Sequence, residues 1–125
     1  MASESKTILL VDDSPVIQTL LKKIFFGLGI NVIGLKTGAK VIETIETKEV
    51  DVVIMDIILP DSDGLELIQE IRNLKDSKKS QLPVVGISGN YKKYDEKDFA
   101  RLGVSKIHIK PLDYDAVVAS VNSYL

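Results

Sequence analysis

An open, doubly wound α/β sheet is the fold that this sequence predicts. Five short β-branched runs alternate with stretches in which apolar residues recur at helical spacing. The connections are short, as in right-handed βαβ units, and five repeats are too few to close an eight-stranded barrel. A third observation bears on function. Charged and hydroxyl residues fall where the runs end, and parallel sheets bind ligands at the carboxyl ends of their strands.

The first run, Thr7–Val11, ends in Asp12-Asp13. Ser14-Pro15 reads as an N-cap and first helical turn, and Ile17, Leu20, Leu21, Ile24, Phe25 and Leu28 mark a helix that Gly27 and Gly29 end. Asn31–Leu35 is the second strand, followed by a helix marked by Val41, Ile42 and Ile45. The third strand, Val52–Asp56, leads through a turn to Gly64 and a helix marked by Leu65, Ile68, Ile71 and Leu74. The polar, lysine-rich stretch Lys75–Leu82 reads as a surface turn. Pro83–Ser88 is the fourth strand, and Tyr94, Phe99 and Leu102 form a weaker stripe ended by Gly103. Lys106–Ile109 is the fifth strand, followed by Lys110-Pro111 and a helix marked by Val117, Val118, Val121 and Leu125. Most strands are almost continuously apolar, as expected where helices cover both faces of a parallel sheet.

At 125 residues, with 45% hydrophobic and 27% charged residues, the chain reads as one folded domain spanning 1–125 rather than a disordered segment. A net charge of −2 supplies no field to collect nucleic acid or anionic lipid, so neither is an expected direct partner. With no cysteine and one histidine, disulfides, thiolate zinc sites and imidazole clusters are excluded. The polar start Met1–Lys6 is no secretion signal, and no apolar run approaches the roughly 20 residues of a membrane helix. The expected location is cytoplasmic. The chain ends with its last helix, so no attached output domain is expected, although the segment could equally be cut from a longer protein.

The strand ends carry the chemistry. Asp12, Asp13 and Asp56 would converge on one edge with Ser88 and Lys110. Carboxylates about 4 Å apart repel by roughly 4 kcal/mol per pair at an effective dielectric near 20. Something positive must offset that, and an all-oxygen site beside a phosphate suits Mg²⁺. Such a set describes a site that handles a phosphoryl group with a metal ion.

Four motifs in order carry a family resemblance over essentially the whole chain. They are the acidic pair, Asp56-Ile57-Ile58-Leu59-Pro60-Asp61-Ser62-Asp63-Gly64, Ser88, and Lys110-Pro111. Together they resemble the receiver domain of two-component response regulators, of the chemotaxis-type single-domain kind. The resemblance implies a flavodoxin-like sheet of strand order 2-1-3-4-5 with five flanking helices. It also implies a Lys110–Pro111 bond that is commonly cis.

It further implies roles. Asp13 and Asp56 would ligate Mg²⁺ directly, Asp12 largely through water, and the Ile58 backbone carbonyl would complete the protein ligands. Asp56 would be the nucleophile, taking a phosphoryl group from a histidine kinase or a histidine phosphotransfer protein. Lys110 and the Ser88 hydroxyl would meet the phosphoryl oxygens. The resulting charge would pull Ser88 inward and move the following loop, switching the binding of a downstream protein partner. This is a switch and not a turnover enzyme, expected as a monomer or a weak dimer.

The chain departs from the pattern at two places. Ile107 stands where many receivers carry an aromatic residue whose rotation reports phosphorylation, so readout would rely on the Ser88–Tyr94 segment and the helix after it. Ile58 and Asn90 line the path of attacking water in receivers, and an apolar Ile58 cannot orient that water, which implies slow self-dephosphorylation. Bland roles fit other residues: Asp61 and Asp63 as turn residues before Gly64, and His108 as a strand residue with no visible partner. Tyr91 and Tyr94, among lysines, suit either helix packing or a partner surface.

Three rivals read less well. An FMN-binding fold needs a hydroxyl- and glycine-rich loop after strand one, where Asp12-Asp13 would repel phosphate. A haloacid-dehalogenase-type phosphatase needs a second Asp two residues after the first, and here Ser14 follows Asp12 at that spacing and Pro15 follows Asp13. A pseudo-receiver that is never phosphorylated is the alternative closest to the main reading.

Overall fold

Runs of Val, Ile and Leu that alternate between two helix-covered faces build the sheet, and in the computed structural model residues 5–89 and 96–125 are described. The strands are β1 (Thr7–Val11), β2 (Asn31–Leu35), β3 (Val52–Asp56), β4 (Val84–Ser88) and β5 (Lys106–Ile109). The helices are α1 (Pro15–Gly27), α2 (Val41–Thr47), α3 (Gly64–Arg72), α4 (Ser77–Ser80), α5 (Glu96–Arg101) and α6 (Tyr114–Tyr124). Sheet order is β2-β1-β3-β4-β5, every pair parallel, as the family resemblance implied.

Period-two alternation divides the core in two. Leu9, Val11, Val53 and Met55 face α2, α3 and α5, packing against Val41, Ile45, Ile68, Ile71 and Phe99. Ile8, Leu10, Val52 and Ile54 face the other way, against Ile17, Leu21 and Phe25 of α1 and Val117 and Val121 of α6. All five residues of β3 and all five of β4 are buried. Each such Val, Leu or Ile contributes about 1.5–3 kcal/mol by leaving water, so the strands that carry Asp56 and Ser88 are the most firmly held.

Helix ends follow local chemistry. Ser14 caps α1, its Oγ accepting from the Ile17 amide at 3.3 Å with Pro15 in the first turn. Gly29 and Gly103 take φ of 76° and 91°, the left-handed turns that end α1 and α5. The stretch expected as a plain surface turn contains one extra helical turn, α4, because Asp76 caps it by accepting from the amides of Lys78 and Lys79. The flanking helices therefore include one more than the resemblance implied. Strand β4 begins one residue later than expected, at Val84. The Lys110–Pro111 bond is cis.

Candidate functional site

Register brings the carboxyl-end residues together. Val11 pairs with both Leu35 and Met55, Asp56 with Ile87, and Ser88 with Ile109, so Asp12, Asp56, Ser88 and Lys110 share one sheet edge. Backbone bonds continue the ladders past the strands: Asp12 N–H donates to the Leu35 carbonyl at 3.0 Å, Ile57 to Ile87 at 2.9 Å and Lys110 to Ser88 at 2.8 Å. The site thus rests on the rigid sheet rather than on free loops.

Asp12 is fully buried and Asp56 is 3% exposed, while Asp13 faces solvent. One carboxylate oxygen from each of the three lies within 4.8 Å of the others. The Lys110 ammonium stands 3.1 Å from Asp56 Oδ2 and 3.4 Å from Asp12 Oδ2. Asp12 Oδ1 accepts from the Ser14 amide at 2.8 Å, and Asp56 Oδ1 from the Ile58 amide at 3.1 Å. Asp12 Oδ2 has no hydrogen bond of its own, only the lysine at ion-pair distance.

One lysine does not neutralise this cluster. Burial pushes the Asp56 carboxyl above the usual carboxylate range, and the charge of Asp12 adds to it against the opposing pull of Lys110. Burial pulls the Lys110 ammonium down, but the Asp56 hydrogen bond and the charges of Asp56 and Asp12 together hold it above its usual value. Three hard oxygen donors and a buried oxygen lacking a donor fit a small divalent cation.

The loop from β3 to α3 is shaped by Gly64. A Cβ there would come within 2.3 Å of the Asp56 carbonyl oxygen and 2.7 Å of Ile57 Cα, so only glycine lets α3 start this close to the nucleophile candidate. Asp63 caps α3 through the Leu65 amide at 2.8 Å, and Asp61 accepts from the Gly38 amide at 2.9 Å, tying in the loop before α2. Both are structural, in keeping with the bland reading, though Asp61 also reaches across to another loop.

Beside the carboxylates lies an open cleft of about 620 Å³, lined among others by Ile58, Asp61, Asp63, Glu66, Ser88 and Phe99. Ser88 is buried, and the Ile58 side chain is 64% exposed at the cleft. Ile107 is half-buried and packs over Gly86, where a Cβ would meet its Cδ1 at 2.8 Å. His108 was expected to lack a partner; instead its Nε2 lies 2.8 Å from Ser120 Oγ of α6. It is nonetheless a half-buried strand residue, as the bland reading held. Asn90, Tyr91 and Tyr94 lie outside the described residues.

A family model described as the response regulator receiver domain matches residues 8–122. The chain belongs to that family. It is therefore a receiver domain of two-component signalling, with the flavodoxin-like fold. It is 31% identical over 118 residues to the transcription factor SKN7 of Candida albicans, covering 94% of this chain and 20% of that protein. It is 35% identical over 107 residues to the Regulator of RpoS of Escherichia coli, covering 86% of this chain and 31% of that protein. The receiver thus spans only a fifth to a third of these two relatives. Among solved structures, it superposes on the receiver domain of the sensor histidine kinase PA1611 from Pseudomonas aeruginosa with a TM-score of 0.82. That match has 25% identity and covers 97% of this chain and 98% of the other, whose active-site cleft coordinates a magnesium ion. Among the described residues, no helix is long and apolar enough to cross a membrane.

Sequence reasoning missed two side chains that the structure makes prominent. Gln18 lies buried on α1 at the site, whereas Arg72 binds three backbone carbonyl groups ahead of β4 and β5, at the opposite end of the sheet. For Gln18 a signal existed: a polar residue one helical turn from Leu21 and two from Phe25, on the face that α1 turns to the core.

Proposed function

We propose that this receiver accepts a phosphoryl group on Asp56 and that the charge so gained switches the binding of a downstream protein. The observation that carries the reading is the Lys110 ammonium held between Asp56 and Asp12, at 3.1 and 3.4 Å, in a pocket with more carboxylate than it can balance. A cation is needed before a doubly charged group can approach. Asp12, Asp13, Asp56 and the Ile58 backbone carbonyl would hold Mg²⁺. When bound, it supplies positive charge to the carboxylates and to an incoming phosphoryl oxygen.

The donor is a phosphohistidine of a histidine kinase or a histidine phosphotransfer protein. An Asp56 carboxylate oxygen forms the new P–O bond as the N–P bond breaks, and the imidazole nitrogen leaves with that electron pair. Lys110 meets the charge on a phosphoryl oxygen, and the Ser88 hydroxyl donates to another. The product is an acyl phosphate, and no turnover of a small substrate is implied. The domain, residues 1–125, works as one unit in the cytoplasm.

The test is incubation with acetyl phosphate and MgCl₂ followed by intact-mass measurement. A single phosphate adduct is expected, abolished by Asp56→Asn and by a chelator. A native chain that never labels would instead be a pseudo-receiver, acting by docking alone.

A further inference from the structure

Gln18 is 4% exposed and points its amide nitrogen into the fork where β1 and β2 separate. Nε2 lies 2.9 Å from the Asp12 carbonyl oxygen, 3.0 Å from that of Leu35 and 3.3 Å from that of Leu10. Two amide protons serve the two shorter contacts best, so Asp12 and Leu35 are the principal acceptors. The opposite orientation would aim an oxygen at three carbonyl oxygens, which fixes the amide as it stands. Its own Oε1 is buried without a hydrogen bond. Room for that oxygen comes from the edge strand: a Cβ on Gly34 would sit 2.3 Å from it.

The Asp12 carbonyl belongs to the peptide group that joins Asp12 to Asp13. Holding that oxygen fixes the plane from which the Asp13 side chain departs, and so the direction of the solvent-facing carboxylate relative to the buried ones. We propose that Gln18 is a positioning residue for the acidic site, its carboxamide clamping the Asp12–Asp13 peptide so that three carboxylates converge before any cation arrives. This deepens the receiver reading and rests on it. Groups that orient metal ligands from behind typically change cation affinity by about 10–100-fold when removed.

The test is calorimetric titration of MgCl₂ into the native chain, Gln18→Met and Gly34→Ala, at a temperature where circular dichroism shows each folded. Gly34 does not adopt a positive φ, so alanine suits its backbone and acts only by displacing the amide or the nearby Lys22 chain end. Both variants should bind Mg²⁺ about tenfold more weakly than the native chain. Loss of thermal stability with unchanged affinity would mean that Gln18 is structural only, and the inference fails. A native chain that does not bind Mg²⁺ defeats the receiver reading itself, together with this one. Should a variant not fold, NMR of the native chain decides: the Gln18 side-chain amide protons should exchange slowly and shift on adding Mg²⁺. Exchange at the solvent rate overturns the clamp.

Discussion

Lys110 and Asp56 are 54 positions apart in the chain, yet the ammonium donates to the carboxylate at 3.1 Å. The pair joins the ends of β5 and β3, which are not neighbours in the sheet, since β4 lies between them. The lysine side chain therefore reaches across the end of β4, over Ser88, to meet the nucleophile candidate. Any group bound to Asp56 must share that lysine with Asp12, which already has it at 3.4 Å. The site is built as a competition for one cation.

That competition predicts a stability effect. Burial and the charge of Asp12 raise the Asp56 carboxyl above its reference value of 3.8. Between 3.8 and the raised value the folded chain keeps a proton that the unfolded chain has lost. Stability without a metal therefore falls as pH climbs through this window, and the whole penalty persists at neutral pH. Asp56→Asn should stabilise the metal-free protein at pH 7 by on the order of 1 kcal/mol, with the gain shrinking toward pH 3. Urea denaturation of both proteins in chelator at several pH values measures it. An asparagine variant weaker than native at pH 7 would refute the electrostatic account.

If Asp56 carries the proposed acyl phosphate, Ile58 is expected to set its lifetime. Its side chain is 64% exposed beside the cleft, while its amide holds Asp56 Oδ1. An isoleucine offers attacking water no acceptor, so the adduct should persist for minutes or longer once donor is removed. Ile58→Glu places a carboxylate there that can accept a proton from water, and hydrolysis should accelerate by about tenfold or more. Decay of the adduct mass over time gives both rates. Native decay within seconds, or equal decay in the two proteins, would count against the role.

Strand boundaries were legible in β1, β3 and β4 because apolar runs buried on both faces leave little choice of where a strand begins or ends. In the half-buried edge strands β2 and β5 they were legible because glycine or lysine-proline punctuation brackets short β-branched runs. Four of the five match residue for residue, and the fifth differs only at Pro83, which lies just before β4. The convergence of Asp12, Asp13, Asp56 and Lys110 was legible because each follows a strand and parallel register aligns strand ends. The one-turn helix at Ser77–Ser80 was not, since its cap by Asp76 is a local bond inside a stretch whose composition reads as loop. Nor were the His108–Ser120 pair, the Gln18 clamp and the Arg72 clamp. Each depends on which long-range backbone or side-chain group lies within 3 Å or so, which periodicity does not encode.

Arg72 offers the sharpest packing test. From the end of α3 its Nη1 donates to the carbonyls of Ser80 at 2.9 Å and Leu82 at 2.7 Å, and its Nε to Gly103 at 3.2 Å. Burial alone draws the guanidinium below its usual value. It thus joins α3 to the approach of β4 and to the turn between α5 and β5, helped by Gln69, which donates to the Leu102 carbonyl. Arg72→Met leaves these carbonyls without a donor and should destabilise the protein by about 2–3 kcal/mol. Arg72→Lys should recover little, because an ammonium cannot span separated acceptors as the planar fork does. Chemical denaturation that found the lysine variant as stable as native would show that charge, and not the fork, is what matters.

His108 gives the chain a second pH dependence, opposite in sign to that of Asp56. Burial lowers the imidazole below its reference 6.5, Lys106 on the same strand adds to this, and Asp113 before α6 opposes it. A histidine with a lowered folded value is neutral when folded and protonated when unfolded between that value and 6.5. Its contribution is therefore complete above pH 6.5 and declines as pH falls through the window. The contact with Ser120 Oγ at 2.8 Å survives protonation only if the hydroxyl acts as acceptor, so acid removes one of the two hydrogen-bond arrangements open to the pair. Thermal melts from pH 7.5 to 5 should show a loss in the native chain that is smaller in His108→Gln, which keeps a polar group toward α6 without titrating. Parallel curves for the two proteins would show that His108 is not the source of the acid sensitivity.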